Sequence, residues 1–153
     1  MANYWLMKSE PSVYSIDDLK RDGATHWDGV RNYQARNIMR DKMKKGDRVL
    51  FYHSNANPPG VAGTARVVRT GYPDHTARDA QSNYYDPKAT DEDPRWYMVD
   101  IEFEEKFPRL VPLAEIKDHP DLQEMVLVRR SRLSVQPVKP DEFETILSLA
   151  RES

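Results

Sequence analysis

Two apolar runs, Arg48-Val49-Leu50-Phe51-Tyr52-His53-Ser54 and Gly60-Val61-Ala62-Gly63-Thr64-Ala65-Arg66-Val67-Val68-Arg69, are separated by a short loop holding Pro58 and Pro59. Runs of this length, rich in Val and aromatic residues and bounded by turn formers, read as strands. Joined by so short a loop, they read as an antiparallel pair, the first of them central in a sheet and ending in a polar tip. Gly63, in mid-strand, marks a bulge or a close backbone approach.

Other elements are placed around this pair. Tyr4-Trp5-Leu6-Met7 reads as a buried strand at residues 3–8, stopped by Glu10-Pro11. Ser15 is the expected N-cap of a short helix, with Asp18 at its third position, Ile16 and Leu19 facing inward and Gly23 ending it. A second helix starts at Asn32, with Ala35, Ile38, Met39 and Met43 at core spacing, Tyr33, Arg36 and Arg40 on another face, and a stop at Lys45-Gly46-Asp47. Residues 71–95 are polar and proline-punctuated, a long excursion of the kind that is functional or mobile. Residues 95–103 read as a further strand with Trp96, Met98 or Val99, Ile101 and Phe103 as inward candidates. Pro112 opens a short helix with Leu113 and Ile116 buried, and a helical turn follows at residues 121–125. Pro140-Asp141-Glu142-Phe143 opens a last helix whose stripe is Phe143, Ile146, Leu147, Leu149 and Ala150. Strands dominate and no repeat or linker interrupts them. The expectation is one α+β domain over 1–153: a mostly antiparallel, curved sheet or small barrel with short helices at its rim.

Composition narrows the chemistry. The 153 residues suffice for a core, and the absence of cysteine excludes disulfides, thiolate catalysis and Cys-type zinc sites. No apolar run of about 18 residues exists, and Met1-Ala2-Asn3-Tyr4-Trp5 does not read as a signal peptide. A cytoplasmic address is expected. His26, His53, His75 and His119 lack close metal-ligand spacing, so neither a metal nor a cofactor is expected. Net charge is only −2, but cations cluster at Arg31, Arg36, Arg40, Lys42, Lys44, Lys45 and Arg48, and again at Arg129, Arg130, Arg132 and Lys139. If the two segments share a face, the molecule has a positive side.

The stretch Trp27-Asp28-Gly29-Val30-Arg31-Asn32-Tyr33-Gln34-Ala35-Arg36-Asn37 is unlike a core-building segment. Aromatics supply flat faces, carboxamides paired donors and acceptors, and arginine a planar cation. Such parts suit a nucleobase pocket beside phosphate. Trp27, Gly29, Val30 and Asn32 are the candidates for its base, with Arg31, Arg36, Arg129 and Arg130 toward phosphates. Lys8 and Ser9 (with Glu10), the strand tip Tyr52, His53 and Ser54, and Tyr85 are further pocket candidates. Trp5 and Trp96 lie inside strand patterns and are read as core.

With these residues in view, the chain is similar to the EVE domain family. The matching blocks are Tyr4 to Pro11, Trp27 to Asn37, Phe51 to Asn55, Tyr72 to Thr76, Tyr85-Asp86-Pro87, Met98-Val99-Asp100 and Arg132 to Pro137. The resemblance implies a PUA-like pseudo-barrel related to YTH domains, and a function in reading modified cytosine or related bases in nucleic acid, DNA or RNA. It implies that Trp27 is a wall of an aromatic cage and that Lys8 and Ser9 line the same pocket. Tyr84, Tyr85 and Trp96 are the candidates for further walls. Two alternatives stay open: a small hydrolase on a modified nucleoside or amide, with Lys8, Glu10 and His53 converging, and a partner-binding domain using the acidic loop at residues 86–93.

Overall fold

The computed structural model describes residues 3–129 and 132–151. Six strands form one open sheet: β1 (Tyr4–Ser9), β2 (Ala24–His26), β3 (Arg48–His53), β4 (Gly60–Pro73), β5 (Tyr97–Pro112) and β6 (Val135–Val138), in the order β2-β5-β4-β3-β1-β6. Only β1 and β3 run parallel; the other neighbours are antiparallel. Five short helices, α1 (Ile16–Asp22), α2 (Tyr33–Asn37), α3 (Leu113–Asp118), α4 (Val126–Arg129) and α5 (Pro140–Ala150), complete an α+β fold. The mostly antiparallel α+β expectation holds, with the sheet left open between β2 and β6.

The apolar runs explain the centre. On β1 and β3, Trp5, Met7, Val49 and Phe51 join one hydrophobic cluster, while Leu6, Leu50 and Tyr52 join a second. Both strands are thus buried on both faces, which is why Tyr4 to Met7 and Val49 to Tyr52 lack polar alternation. The second cluster is covered by Phe143, Ile146, Leu147, Leu149 and Ala150 of α5 and by Ile116 of α3. Each large aliphatic or aromatic side chain so buried stabilises the fold by about 1.5–3 kcal/mol.

Local signals set the ends of elements. Ser15 and Asp18 form a reciprocal capping box at α1: the Asp18 N–H donates to Ser15 Oγ at 3.1 Å, and the Ser15 N–H to Asp18 Oδ2 at 2.8 Å. Gly23, at φ +81°, closes α1. Between Phe51 and Tyr52 the β3–β4 register shifts, and Gly63 lies against the Glu105 carbonyl, where a Cβ would stand 2.2 Å from the oxygen. The close approach expected at Gly63 is therefore present.

Two elements differ from expectation. The helix from Asn32 is α-helical only to Asn37 and continues as a π-helical turn (Ile38–Lys42). Strands β4 and β5 outrun their sequence patterns to Pro73 and Pro112, with register shifts along their length. Charged residues such as Glu104 persist inside β5 because Arg48, Arg66 and Thr64 all reach its carboxylate, Thr64 Oγ1 at 2.9 Å. Among the described residues no helix is long and apolar enough to cross a membrane.

Candidate functional site

The C-terminal end of β1, the loop after it and the turn after β2 enclose a cavity of about 500 Å³. Lys8, Ser9 and Glu10 bring its polar wall, Val13 and Tyr14 its outer lip, Trp27 to Arg31 the facing wall, and Tyr84 and Ser134 the sides. Pairing places them. The Lys8 N–H donates to the Ser134 carbonyl at 2.9 Å, and the Trp27 N–H donates to Val99 of β5 at 2.7 Å. The Trp27 ring meets Phe51 edge-on at 5.6 Å and is only 8% exposed. Its indole N–H has no protein partner among the described residues. Trp27 is therefore both core and wall.

Asp74, between β4 and the 3-10 turn His75–Arg78, organises the facing wall. Its side chain is fully buried. Oδ2 accepts from the Gly29 N–H at 2.8 Å and from Arg31 Nη1 at 3.1 Å, and Oδ1 accepts from the Thr76 N–H at 2.8 Å and its hydroxyl at 2.5 Å. Burial pushes the Asp74 pKa up, but the hydrogen bonds from Thr76, Gly29 and Arg31 outweigh it and hold the carboxyl below its usual range. Arg31 also donates to the Tyr84 carbonyl at 2.7 Å, which ties the excursion loop to the turn. Gly29 has φ +76°, and a Cβ there would lie 2.6 Å from the Tyr84 ring. Only glycine permits both this left-handed turn and the aromatic lid over it.

Lys8 is half-buried, with its ammonium 5.5 Å from the Tyr52 ring centroid. Burial lowers its pKa. In register with Tyr52 on the neighbouring parallel strand, the Lys8 side chain lies on that tyrosine's side of the sheet, at the edge of the cavity. Ser9 Oγ donates to the Tyr14 carbonyl at 2.6 Å, which leaves the hydroxyl oxygen as an acceptor. Glu10 Oε1 accepts from Asn55 Nδ2. The arrangement can hold a flat ring with a polar edge.

The structure brings Lys8, Ser9, Trp27, Gly29, Val30 and Arg31 together around the cavity. The other pocket candidates do not line it. Asn32 is the N-cap of α2, its Oδ1 accepting from the Ala35 N–H at 3.0 Å; an Asn before a helical pattern is a capping signal first. Tyr52 points into the second core, since odd and even residues of β3 face opposite sides. Ser54 donates its backbone N–H to Ser9. Tyr85 is exposed, and its neighbour Tyr84 takes the cavity position. Of the phosphate candidates, Arg31 is committed to Asp74 and Tyr84, Arg36 donates to the Arg95 carbonyl at 2.9 Å, and exposed Arg129 pairs with Glu124 at 3.0 Å. Arg130 lies outside the described residues. Trp96 is buried, as expected, with its N–H on Asp86 at 2.7 Å. Asp74 was visible in sequence as an Asx-type residue before His75-Thr76, but nothing local signals that its partner is Gly29.

His53 Nε2 accepts the Ile16 N–H at 3.1 Å, at the first turn of α1. A nitrogen whose lone pair is so used is no free base, so the Lys8–Glu10–His53 convergence is not formed. Burial pushes the His53 pKa below its ordinary 6.5, Asp17 opposes this and Lys106 adds to it. The unfolded chain therefore takes up its proton at higher pH than the folded one, and stability from this contact is complete above pH 6.5 and is lost as pH falls below it. His53→Leu is expected to cost about 1 kcal/mol at neutral pH, with a difference from the parent that shrinks on acidification. Thermal melts across the pH range check this; a difference that does not change with pH would exclude it. Among the described residues no group of three His, Asp or Glu side chains could hold a metal ion.

A model of the EVE domain family matches residues 3–149. Human thymocyte nuclear protein 1 is 44% identical over 168 residues, covering 97% of this chain and 74% of that protein. A hypothetical protein from Leishmania major superposes with a TM-score of 0.94 at 52% identity, covering 98% of this chain and 95% of the other. Human THYN1 protein, in a complex with 5-methylcytosine containing DNA, superposes with a TM-score of 0.92 at 43% identity, covering 99% of both chains.

Proposed function

The chain belongs to the EVE domain family, and from that premise we propose that it binds DNA carrying 5-methylcytosine and holds the modified base in the Trp27 cavity. The observation that carries the proposal is the cavity: about 500 Å³, walled by an indole on one side and by Lys8, Ser9 and Glu10 on the other. Its size is that of small-ligand sites generally. The human relative solved with 5-methylcytosine DNA matches over the whole chain.

Chemistry assigns the walls. Cytosine offers an amino donor at N4 and acceptors at N3 and O2. Glu10 can accept from the amino group, and the Lys8–Ser9 segment borders the same edge. Trp27 supplies a face for stacking, and Val30 with the indole edge receives the added methyl. A base paired in a duplex cannot reach this cavity, so it enters flipped or from a single strand. Asp74, Gly29 and Tyr84 keep the wall formed before the base arrives.

The test is fluorescence anisotropy with oligonucleotides of one sequence holding cytosine, 5-methylcytosine or 5-hydroxymethylcytosine at one position, as single strands, duplexes and RNA. Burying one methyl group favours the methylated strand by about fourfold to tenfold. Equal affinity for cytosine and 5-methylcytosine in every format would overturn the proposal, and a preference found only in RNA would reassign the partner.

A further inference from the structure

Beside the cavity lies a surface that base reading does not use. Tyr33, at the start of α2, is 47% exposed although its ring stacks on Trp96, with centroids 4.8 Å apart and planes 23° from parallel. Two guanidiniums converge on this tyrosine. Arg36 lies over the ring at 4.7 Å, and Arg95 Nη2 donates to the phenol oxygen at 2.6 Å. Arg36 in turn donates to the Arg95 carbonyl at 2.9 Å and to Asn37 Oδ1 at 2.7 Å. Among the described residues Arg36 makes no hydrogen bond or ion pair to a carboxylate, Asp41 feeling its charge only at longer range. The nearest acid to Arg95, Asp86, is 4.0 Å away and already binds the Trp96 N–H.

The backbone gives a second, independent sign. Arg95 has φ +64°, a region arginine rarely occupies, and the Trp96 N–H donates to the Pro94 carbonyl at 2.7 Å. Arg95 is thus the centre of a strained three-residue turn, the kind of conformation that persists at binding sites because the surroundings over-determine it. The surface also connects to the cavity: Arg31, on the cavity wall, has its guanidinium 5.5 Å from the Tyr84 ring centroid and 5.2 Å from that of Trp96.

We propose that Arg36 and Arg95, held around Tyr33, form a second subsite that binds the phosphodiester backbone of the strand whose base occupies the Trp27 cavity. This rests on the base-reading function proposed above. Two planar guanidiniums and a phenol, with Arg36 in no ion pair, match an anionic diester. Each strand of a duplex carries one phosphate per about 3.4 Å of helix axis, so the phosphates flanking the held base are within reach of a neighbouring subsite. The subsite positions the strand and carries no base preference.

The test uses the same cytosine and 5-methylcytosine single strands across a salt series, with Arg36→Gln, Arg95→Asn and the double variant. Asparagine tolerates the left-handed backbone at position 95, so Arg95→Asn keeps the turn while removing the charge. Each single change is expected to weaken both strands by the same factor, roughly tenfold. Each should also reduce the slope of log affinity against log salt by about 1, with the methyl preference intact. Arg95→Lys should recover part of the salt slope, which a purely structural role would not produce. Parent-like affinity and slope in the double variant overturn the subsite, as does a loss confined to the methylated strand. If the parent shows no methyl preference yet the variants lose salt slope, base reading fails and the phosphate subsite stands.

Discussion

Asp74→Ala is expected to destabilise the protein by about 3 kcal/mol, the low end for removing one member of a buried ion pair. The low end applies because Arg31, with 23% of its side chain exposed, can regain water. What cannot recover is the turn: the Gly29 N–H and the Thr76 N–H and hydroxyl lose their common acceptor at once. For a chain of this size a loss of about 3 kcal/mol lowers the melting midpoint by roughly 6–12 °C. Asp74→Asn should sit between, because its amide turns a donor toward Gly29 or Arg31. The sign with pH follows from the depressed carboxyl. The folded state holds the proton less tightly than the unfolded, so stability from Asp74 is present above the ordinary 3.8 and is lost as pH falls through the folded value. Thermal and denaturant unfolding should thus show a shallower acid limb in Asp74→Asn. An acid limb identical to the parent's would show that Asp74 does not hold the wall.

Trp27→Ala is expected to act twice. The ring packs on Phe51 and belongs to the first core, so truncation should cost about 3 kcal/mol of stability. It also removes the stacking face, worth about 1–3 kcal/mol per base, which corresponds to roughly fivefold to 150-fold in affinity for a methylated strand. Trp27→Phe separates the two effects. It keeps most of the apolar volume, and should retain the fold while losing part of the affinity and the methyl preference. If Trp27→Phe and Trp27→Ala both bind the methylated strand like the parent, the cavity does not hold the base.

The fold was legible where one local rule governed one element. The Ser15–Asp18 capping box, Gly23, the strand pair at residues 48–69 and the α5 stripe needed no distant partner. So was half of the cavity, because Trp27, Gly29 and Val30 fall in one polar-aromatic stretch and Lys8 and Ser9 end the first strand. Long-range partnerships were not legible. Arg31 reads as a phosphate ligand from its place in the cation cluster of residues 31–48, while its carboxylate, Asp74, lies 43 residues away. Tyr84 and Tyr85 are indistinguishable by composition, and only the bend of the loop chooses between them. Asn32 was assigned to the base when its commoner role, capping the helix that follows it, was already written in the pattern.

The position of β1 bears on when the protein becomes competent. β1 carries the polar wall, yet its two sheet neighbours are β3 and β6, and Lys8 is tied to Ser134. During synthesis β1 must therefore wait for β6, made after every other strand of the sheet. A nascent chain paused before residue 135 has both tryptophan and lysine but lacks the flank that sets their distance. The Trp27 cavity is therefore complete only once β6 has paired with β1.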